Sequence, residues 1–235
     1  MRQIVLDTET TGLEPKHGHR IIEIGCVEII NRRKTDNNFH IYLNPDREIE
    51  DGAFDVHGIS NEFLADKPRF NDVAQEFIEF VRNSELIIHN APFDVGFINA
   101  ELKKLGKNWG KVDDYCQVVD TLVMAREKHP GQKNNLDALC SRYEIDNSQR
   151  ELHGALLDAQ ILLDVYLAMT GGQETLGFES NSSGRDQIDA SATLLDVNRK
   201  RLPVIEPSRE EYAAHMQRLQ EIKEQNGDCV WLEHE

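Results

Sequence analysis

The sequence lacks any long apolar segment. No run approaches the roughly 18 consecutive apolar residues that a membrane-spanning helix needs. The first residues, MRQIVLDTE, reach acidic positions before an apolar stretch of signal-peptide length can form. These absences argue against a membrane span or an export signal, and we expect a cytoplasmic protein.

The cysteines lack the spacing of a metal or disulfide framework. Cys26, Cys116, Cys140 and Cys229 are widely separated, and no C-x-x-C pair occurs. In a chain without an export signal, this distribution argues against a cysteine zinc site and against structural disulfides. We expect reduced thiols, most of them buried.

Positive charge is scarce. The chain carries 26 Lys and Arg against 42 Asp and Glu, a net charge of −16. Residues 1–170 hold 19 basic and 29 acidic residues, and the remainder holds 7 and 13, so neither part is basic. Because Lys and Arg supply most non-specific affinity for nucleic acids, this balance argues against a broad basic binding surface. If the substrate is a nucleic acid, bound divalent cations or a partner protein must help to hold it.

Apolar patterning predicts one α/β domain. A chain of 235 residues with 39% apolar content can form a domain of ordinary size plus an appendage. The apolar stripe from Phe70 to Arg82 predicts an amphipathic helix, and the segment from Gly154 to Met169 predicts a helix packed on a sheet. The predicted strands are Ile4 to Asp7, Ile21 to Ile30, Phe39 to Leu43, Glu85 to His89 and Val118 to Asp120. Around Asn44, Pro45 and Gly52 we expect a turn-rich passage that leads to VHGI at Val56 to Ile59.

Composition changes after Met169. Residues 171–190 are rich in glycine and polar residues, which predicts an exposed linker between a domain at 1–170 and a separate segment at 191–235. Ser208 and Glu211 form a capping-box pattern for a helix that ends near Asn226, before Gly227. Its apolar stripe is only one residue wide, so we expect this helix to dock on a partner.

The octet VLDTETTG places two acids where an apolar strand ends. Asp7 and Glu9 are two residues apart, so on a strand they share a face at a separation of about 7 Å. Such carboxylates repel each other unless a cation lies between them. The alternative is a strand followed by a turn in which Asp7 or Thr8 caps backbone amides and Gly12 supplies a positive φ.

Two further acids lie at predicted element ends. Asp94 falls in the first turn of the helix that NAPFD begins, with Pro92 near its start, and Asp158 lies within LHGALLDAQ. Singly, each is more often a cap than a ligand. Together with Asp7 and Glu9, they form the oxygen ligand set that two Mg²⁺ or Mn²⁺ ions require for displacement at phosphorus.

His153 precedes Asp158 by five residues. Five helical steps would put the two side chains roughly 140° apart, so the histidine must lie at or before the helix start. A neutral imidazole with an ordinary pKa of about 6.5 is a suitable general base for an attacking water near neutral pH. The alternative for a lone turn histidine is an exposed or capping role.

Three motifs in the chain resemble those of a known enzyme family. D-x-E-T-T-G, H-N-A-x-F-D and H-x-x-x-x-D resemble the exonuclease motifs of the DEDDh 3′–5′ exonucleases. The segments IVLDTETTG, ELIIHNAPFD and LHGALLDAQILLDVYLAMTGGQ are similar to the epsilon branch, the proofreading exonucleases of bacterial DNA polymerase III, from Arg2 to about Gln173. The resemblance implies a ribonuclease H-like fold, with a mixed five-stranded sheet flanked by helices and a flexible C-terminal tail.

The resemblance also implies roles for individual residues. The two metals would be held by Asp7, Glu9, Asp94 and Asp158, with Asp7 bridging, and His153 would deprotonate the attacking water to release nucleoside 5′-monophosphates. The 3′-terminal nucleotide would contact Thr8, Glu9, Thr10, Thr11, Gly12, Leu13, His57, His89, Asn90 and Asp158. His57 could equally be a satisfied loop histidine, and core packing is the favoured role for Phe93. The loop between Gly12 and Arg20 is shorter than in well-known relatives.

The tail carries features of partner binding. Gln173, Leu176 and Phe178 resemble the Q-x-x-L-x-F motif by which replication proteins bind the sliding clamp. The helix that begins after Ser208 and the CVWL segment resemble the part of epsilon that docks on the polymerase alpha subunit. A small accessory, theta-like subunit is a further partner of such a domain.

Two other functions compete with replication proofreading. A stand-alone DEDDh exonuclease that trims RNA 3′ ends would share the motifs, although the long tail with a clamp-like motif disfavours it. A scaffold subunit that joins clamp and polymerase, with an incidental nuclease, is the alternative from a different class. Intact motifs disfavour an inactive scaffold.

Overall fold

The computed structural model describes residues 1–150, 152–171, 207–227 and 229–232. The chain divides into two compact units, Met1–Phe178 and Glu179–Glu235. The predicted clamp motif from Gln173 to Phe178, and the predicted linker beyond Gly171, lie outside the described residues. No helix within the described ranges has the length and apolarity needed to cross a membrane.

A five-stranded mixed sheet forms the centre of the first unit. Its strands run in the order β3-β2-β1-β4-β5. The pairs β1 with β2 and β2 with β3 are antiparallel, whereas β1 with β4 and β4 with β5 are parallel. The strands are β1 (Arg2–Thr10), β2 (Ile21–Ile30), β3 (Arg33–Tyr42), β4 (Glu85–Ile88) and β5 (Gln117–Asp120). This mixed sheet with flanking helices confirms the predicted ribonuclease H-like architecture.

Strand β1 is longer than its apolar residues alone predict. It continues past Asp7 to Thr10 because the polar residues pair with β2, Asp7 opposite Gly25 and Glu9 opposite Glu23. The register shifts between Glu9 and Thr10, which ends the regular pairing. Both acids of the octet therefore lie on the strand and not in the turn after it.

Seven helices surround the sheet in the described part of this unit. They are α1 (Asp51–His57), α2 (Asn61–Leu64), α3 (Phe70–Val81), α4 (Ala91–Leu105), α5 (Thr121–Lys128), α6 (Leu136–Tyr143) and α7 (Ala155–Thr170). The predicted helices at α3, α4 and α7 are confirmed. Residues 44–50 are irregular, as predicted. The helices α1 and α2 follow where no helix was predicted, because at seven and four residues they are too short to show a helical period.

The two faces of the sheet bury different helices. On one face, Leu6 and Ile24 pack in the same core as Phe77 of α3 and Phe97 of α4. On the other, Val5 packs with the apolar side of α7. Since side chains alternate along β1, consecutive residues fill opposite cores. The helix that carries Asp158 is thus held directly against the central strand.

Three of the cysteines follow the prediction for a reduced chain. Cys26, Cys116 and Cys140 are buried free thiols. Burial raises the pKa of the Cys116 thiol to about 11, so this side chain is neutral near pH 7.

The second unit contains one long described helix. Helix α8 (Arg209–Asn226) begins with a complete capping box, in which Glu211 N–H donates to Ser208 Oγ and Ser208 N–H donates to the Glu211 carboxylate. It ends at Gly227, whose φ of 78° is the left-handed conformation that favours glycine. Both predicted helix ends are confirmed.

Candidate active site

Four chain segments converge on one cavity of about 320 Å³, called here the acidic cavity. They are the end of β1, the junction of β4 with α4, the start of α6, and the loop that leads into α7. The lining includes Asp7, Thr8, Glu9, His89, Asn90, Phe93, Asp94, Asn135, Leu136, Asp137, Arg150, His153, Asp158 and Leu162. The structure therefore brings together the four acids and the histidine that the sequence singles out.

The acids on β1 lack a direct cationic partner among the described residues. Burial, and then the charges of Asp94 and Glu9, raises the pKa of Asp7 well above its ordinary value. Burial, and then the charge of Asp158, raises the pKa of Glu9 to about 8. These raised pKa values reflect the free energy needed to ionise neighbouring carboxyl groups that are buried away from water. A bound cation would offset that free energy.

Asp94 is connected to the first motif by a hydrogen bond. The Thr8 hydroxyl donates to Asp94 Oδ1 at 2.6 Å, and Asp94 is only 2% exposed. Burial raises the pKa of Asp94 to about 7, against the lowering effect of the Thr8 bond. Thr8 thus orients the Asp94 carboxylate at the start of α4.

The turn between β4 and α4 is fixed by its neighbour. Asn90 precedes α4 in the left-handed conformation, with φ of 65°. Its backbone N–H donates to Asp120 Oδ1 at 3.2 Å, and His89 Nδ1 lies 2.9 Å from the Thr121 hydroxyl. The end of β5 therefore positions the second motif.

Helix α7 begins directly on β2. A Cβ atom added at Gly25 would lie 2.3 Å from the carbonyl carbon of Ala155 and from the amide nitrogen of Leu156, so only glycine permits this approach. The Glu23 carboxylate accepts the Ala155 N–H at 3.1 Å. Asp158 lies in the first turn of the helix that these two contacts hold in place.

His153 lies just before α7, as predicted, with Gly154 at the N-cap. Its backbone N–H donates to the Val56 carbonyl at 3.0 Å, and its Nδ1 is 3.4 Å from Asp158 Oδ2. Burial, and then the charge of Arg150, lowers its pKa. Glu9, His153 and Asp158 each place one potential ligand atom within 4.8 Å of those of the other two, a spacing that can hold a metal ion.

Arg150 is a site residue that the sequence reading missed. Its Nε and Nη2 donate to the two oxygens of Asp158 at 2.6 and 2.7 Å, and its Nη1 donates to Asp137 at 2.7 Å. Nη2 also lies 3.0 Å from His153 Nδ1. Since a guanidinium only donates, Nδ1 is the unprotonated nitrogen of the neutral ring. A basic residue three positions before the histidine was the available signal.

A second hollow of about 290 Å³, the side cavity, adjoins the acidic cavity and shares Thr8, Glu9 and Phe93 with it. Its other lining residues are Thr10, Gly12, Leu13, Glu50, Gly52, Ala53, Val56 and His57. Most of the residues predicted to contact the terminal nucleotide therefore border one space. Phe93, for which core packing is the favoured prediction, borders both cavities. It also packs against Phe97, with tilted rings whose centroids are 5.0 Å apart.

Two predicted contact residues are engaged within the protein. Thr11 is fully buried outside both cavities, with its hydroxyl 3.1 Å from His19 Nδ1 and accepting the Arg20 N–H. His57, the last residue of α1, lines the side cavity and accepts the Ile59 N–H at Nδ1. Its buried Nε2 has no hydrogen-bond partner among the described residues, so the ring is only half satisfied within the protein.

Comparison with known proteins places the chain in a family. An exonuclease family model, RNase_T, matches residues 4–166. The DNA polymerase III subunit epsilon of Salmonella typhimurium is 54% identical over 98% of this chain and 97% of its own length. The chain belongs to the DNA polymerase III epsilon-subunit family. The epsilon subunits of Escherichia coli and Rickettsia felis are 52% and 46% identical over 98% and 94% of this chain, and over 97% of their own lengths.

Solved exonuclease structures share the fold of this chain. Exonuclease X in complex with 5′ overhanging duplex DNA is 26% identical, with a TM-score of 0.55 over 73% of this chain and 94% of that one. The nuclease domain of 3′hExo, a DEDDh family member bound to rAMP, has a TM-score of 0.62 over 72% of this chain and 90% of that one. At 17% identity it supports the fold alone. The chain is a DNA 3′–5′ exonuclease of the epsilon family, and a proofreading role fits this membership.

Proposed function

We propose that this chain removes mispaired nucleotides from the 3′ end of DNA as the proofreading subunit of a replicative polymerase. The observation that carries the proposal is the convergence of four carboxylates and one imidazole, from distant segments, on the acidic cavity. Relatives named DNA polymerase III subunit epsilon, which match along nearly the whole chain, support the replication setting.

The donor set of the acidic cavity fits divalent cations. Asp7, Glu9, Asp94 and Asp158 offer hard oxygen ligands. Burial and neighbouring acids raise the pKa values of Asp7, Glu9 and Asp94, which favours a cation among them. Asp158, whose two oxygens accept from Arg150 in this structure, would join the set by exchanging those bonds for the cation. These four residues would hold two divalent cations, Mg²⁺ or Mn²⁺. When bound, the cations would supply Lewis acidity that lowers the pKa of a water and offsets charge on the scissile phosphate.

His153 serves as the general base. Its lowered pKa keeps the imidazole neutral at pH 7, and Nδ1, which accepts from Arg150 in this structure, is the unprotonated nitrogen. The ring accepts a proton from the attacking water as the water oxygen bonds to phosphorus, and the bond between phosphorus and the 3′ oxygen of the preceding nucleotide breaks. The backbone bond to Val56 holds the histidine at the junction of the two cavities.

The side cavity receives the terminal nucleoside. Leu13, Val56 and Phe93 give it an apolar wall suited to a base, while Thr8, Thr10 and Gly12 bring polar backbone near the sugar. No group in it needs to read base identity. Selection of errors follows because a mispaired end separates from its template at a lower free-energy cost than a paired end.

Digestion of mispaired against paired primer ends with Mg²⁺ tests the proposal. We expect faster release of 5′-mononucleotides from the mispaired end, and a kcat lower by about 10²- to 10⁴-fold in His153→Ala. His17→Ala removes an exposed imidazole outside the described cavities and is the matched control. Preference for a short RNA over the mispaired DNA primer would overturn the DNA role in favour of an RNA-trimming enzyme.

Partner binding is assigned to the tail. We propose that Gln173, Leu176 and Phe178 bind the sliding clamp, that residues 191–235, which contain α8, dock on the polymerase alpha subunit, and that a theta-like subunit binds the exonuclease domain. Replication complexes of this kind act in the cytoplasm of bacteria, where we place the protein. With a net charge of −16, the chain has little affinity of its own for DNA. Binding to the polymerase and the clamp would bring the DNA to it.

The clamp assignment has a direct test. Replacing both apolar anchors, in the double variant Leu176→Ala and Phe178→Ala, should weaken clamp binding by about 30-fold or more in calorimetry, since buried anchors dominate such interfaces. Glu174→Ala changes a variable position of the same motif and should bind as the wild type does. Equal affinity of the double variant and the control would refute the assignment.

A further inference from the structure

A third hollow adjoins the acidic cavity on a different side. It measures about 470 Å³ and is called here the amide cavity; its lining is His89, Asn90, Leu122, Arg126, Gln132, Asn134 and Asn135. It shares His89, Asn90 and Asn135 with the acidic cavity and no lining residue with the side cavity. The acidic cavity therefore has two separate extensions.

The two extensions differ in charge. The side cavity contains two acids, Glu9 and Glu50, and no Lys or Arg, whereas the amide cavity contains Arg126 and no acid. Among the described residues that line the three cavities, Arg150 and Arg126 are the permanently charged cations. Arg150 is already engaged by Asp158 and Asp137. Arg126 forms no hydrogen bond or ion pair with any residue in the described ranges.

Two amide side chains beside Arg126 are also available. Asn90 and Gln132 make no side-chain hydrogen bond within the described part of the chain. In contrast, Asn134 donates to the backbone carbonyls of His129 and Gln132 and accepts from Arg142. The cavity thus presents a guanidinium and two amides whose hydrogen-bonding capacity is free for a ligand.

The acid at the edge of this cavity is already engaged. Asp120 Oδ1 accepts the backbone N–H groups of Asn90, Leu122 and Val123. Its charge is partly offset by these donors at the start of α5. Free donors of this kind, next to a cation, favour an anion with several oxygen acceptors, such as a phosphodiester.

Resting on the proposed function, we propose that the amide cavity binds the phosphodiester immediately 5′ to the scissile one, with Arg126 as its main contact. A strand whose terminal nucleoside fills the side cavity must leave the acidic cavity by another route, and the amide cavity is continuous with it through His89, Asn90 and Asn135. Asn90 and Gln132 complete the phosphate contact, and Leu122 lies against the adjoining sugar.

The test places one neutral linkage in a DNA substrate. The full chain, with Mg²⁺, digests a single-stranded oligonucleotide that carries a methylphosphonate at the linkage 5′ to the scissile one. We expect the KM of the wild type to rise about fivefold, the effect of losing one charged contact to the exposed Arg126. Arg126→Gln should raise the KM for unmodified DNA by a similar factor, and the methylphosphonate should then add no further increase.

Two further variants complete the design. Lys128→Gln makes the same charge change on α5 outside the cavity and should keep the wild-type KM and methylphosphonate penalty. Gln132→Ala should give a smaller KM increase of about twofold that is also lost with the neutral linkage. Melting midpoints verify that each variant folds, which we expect because Arg126 and Gln132 have no side-chain hydrogen-bond partner in the described ranges.

The outcomes separate this inference from the proposed function. An equal methylphosphonate penalty in the wild type and Arg126→Gln would show that Arg126 does not contact this linkage and would overturn the inference alone. Failure of the wild type to release nucleotides from unmodified DNA would overturn the proposed function and the inference with it.

Discussion

Buried carboxylates at the two ends of strand β1 differ in their charged partners. At its amino end, Glu28 of β2 accepts from Arg2 Nε at 2.6 Å and from the Thr35 hydroxyl at 2.8 Å. At its carboxyl end, Asp7 and Glu9 face other acids across a cavity. An acid paired with a cation of the protein is part of the fold, whereas a group of acids without direct cationic partners is arranged for a cation from solution.

The pKa shifts at the two ends have opposite signs. Burial raises the pKa of Glu28, but hydrogen bonds from Arg2, Thr35 and Asn37 outweigh it, so the pKa lies below 4.5. Its contribution to stability is therefore present above that value and is lost as the pH falls. The pKa of Glu9 is raised from 4.5 to about 8, so the folded state loses stability as the pH rises through this interval.

The largest expected effect comes from the carboxyl end. Asp7→Asn keeps the shape of the side chain but removes the charge at the centre of the acid cluster, so cations bind weakly. We expect nucleotide release to fall by at least about 10³-fold, measured on single-stranded DNA with Mg²⁺. Asp36→Asn makes the same change on the exposed part of β3 and should retain full activity.

The same variant decides between an enzyme and a scaffold. Asp7→Asn should still bind polymerase and clamp, because the tail is unchanged. Loss of both binding and nucleotide release would contradict the separation of these roles. Full nucleotide release by Asp7→Asn would contradict the cation-binding role given to the carboxyl end of β1.

Removal of divalent cations gives the next largest effect. In a chelator, we expect the melting temperature to fall as the pH rises from about 5 to about 8, because Glu9 and its neighbours must ionise unpaired. At pH 8, Mg²⁺ at about 100 times its Kd should add roughly 2.7 kcal/mol of stability, or about 5 to 10 °C. Calorimetry at the two pH values measures both changes. An equal Mg²⁺ shift at pH 5 and pH 8 would contradict coupling to these carboxyl groups.

The smallest effect belongs to the amino end. Glu28→Gln should lower the free energy of unfolding by about 1 to 2 kcal/mol, because Arg2 loses its charged partner while a hydrogen-bond acceptor remains. Urea denaturation measures this, and nucleotide release should be unchanged. Glu76→Gln, at an exposed position of α3, should change stability by less than about 0.5 kcal/mol. A loss of activity in Glu28→Gln would show that the two ends are not independent.

Regular apolar patterns made much of this fold predictable. Strand β2 has the predicted bounds, and α3 differs by one residue, because buried β-branched runs and a continuous amphipathic stripe report directly on burial. Strand β3 begins at Arg33 although only its apolar end was predicted. Its first half is polar because it forms the exposed edge of the sheet, so it has no apolar alternation to detect.

The candidate site was predictable where motifs mark it and not elsewhere. Asp94 and Asp158 were predicted because sequence patterns mark the starts of the helices that carry them. Arg150 was missed because it lies in an irregular loop. The path of that loop brings it to Asp158, and no local sequence pattern encodes the path. Arg126 was missed for a similar reason, since a single arginine on a short helix looks like ordinary solvated surface.

The contact at Gly25 limits how the metal-binding region can change. Main-chain atoms of β2 and α7 touch there without an intervening side chain, so backbone packing fixes the separation between the main chains that carry Asp7 and Asp158. Rotamer changes cannot widen such a gap, and close-packed backbone resists compression. A site of fixed width suits a small ion with strict octahedral demands better than a large ion such as Ca²⁺, whose ligands must spread apart. Selectivity for ion size would then originate in a residue that has no side chain.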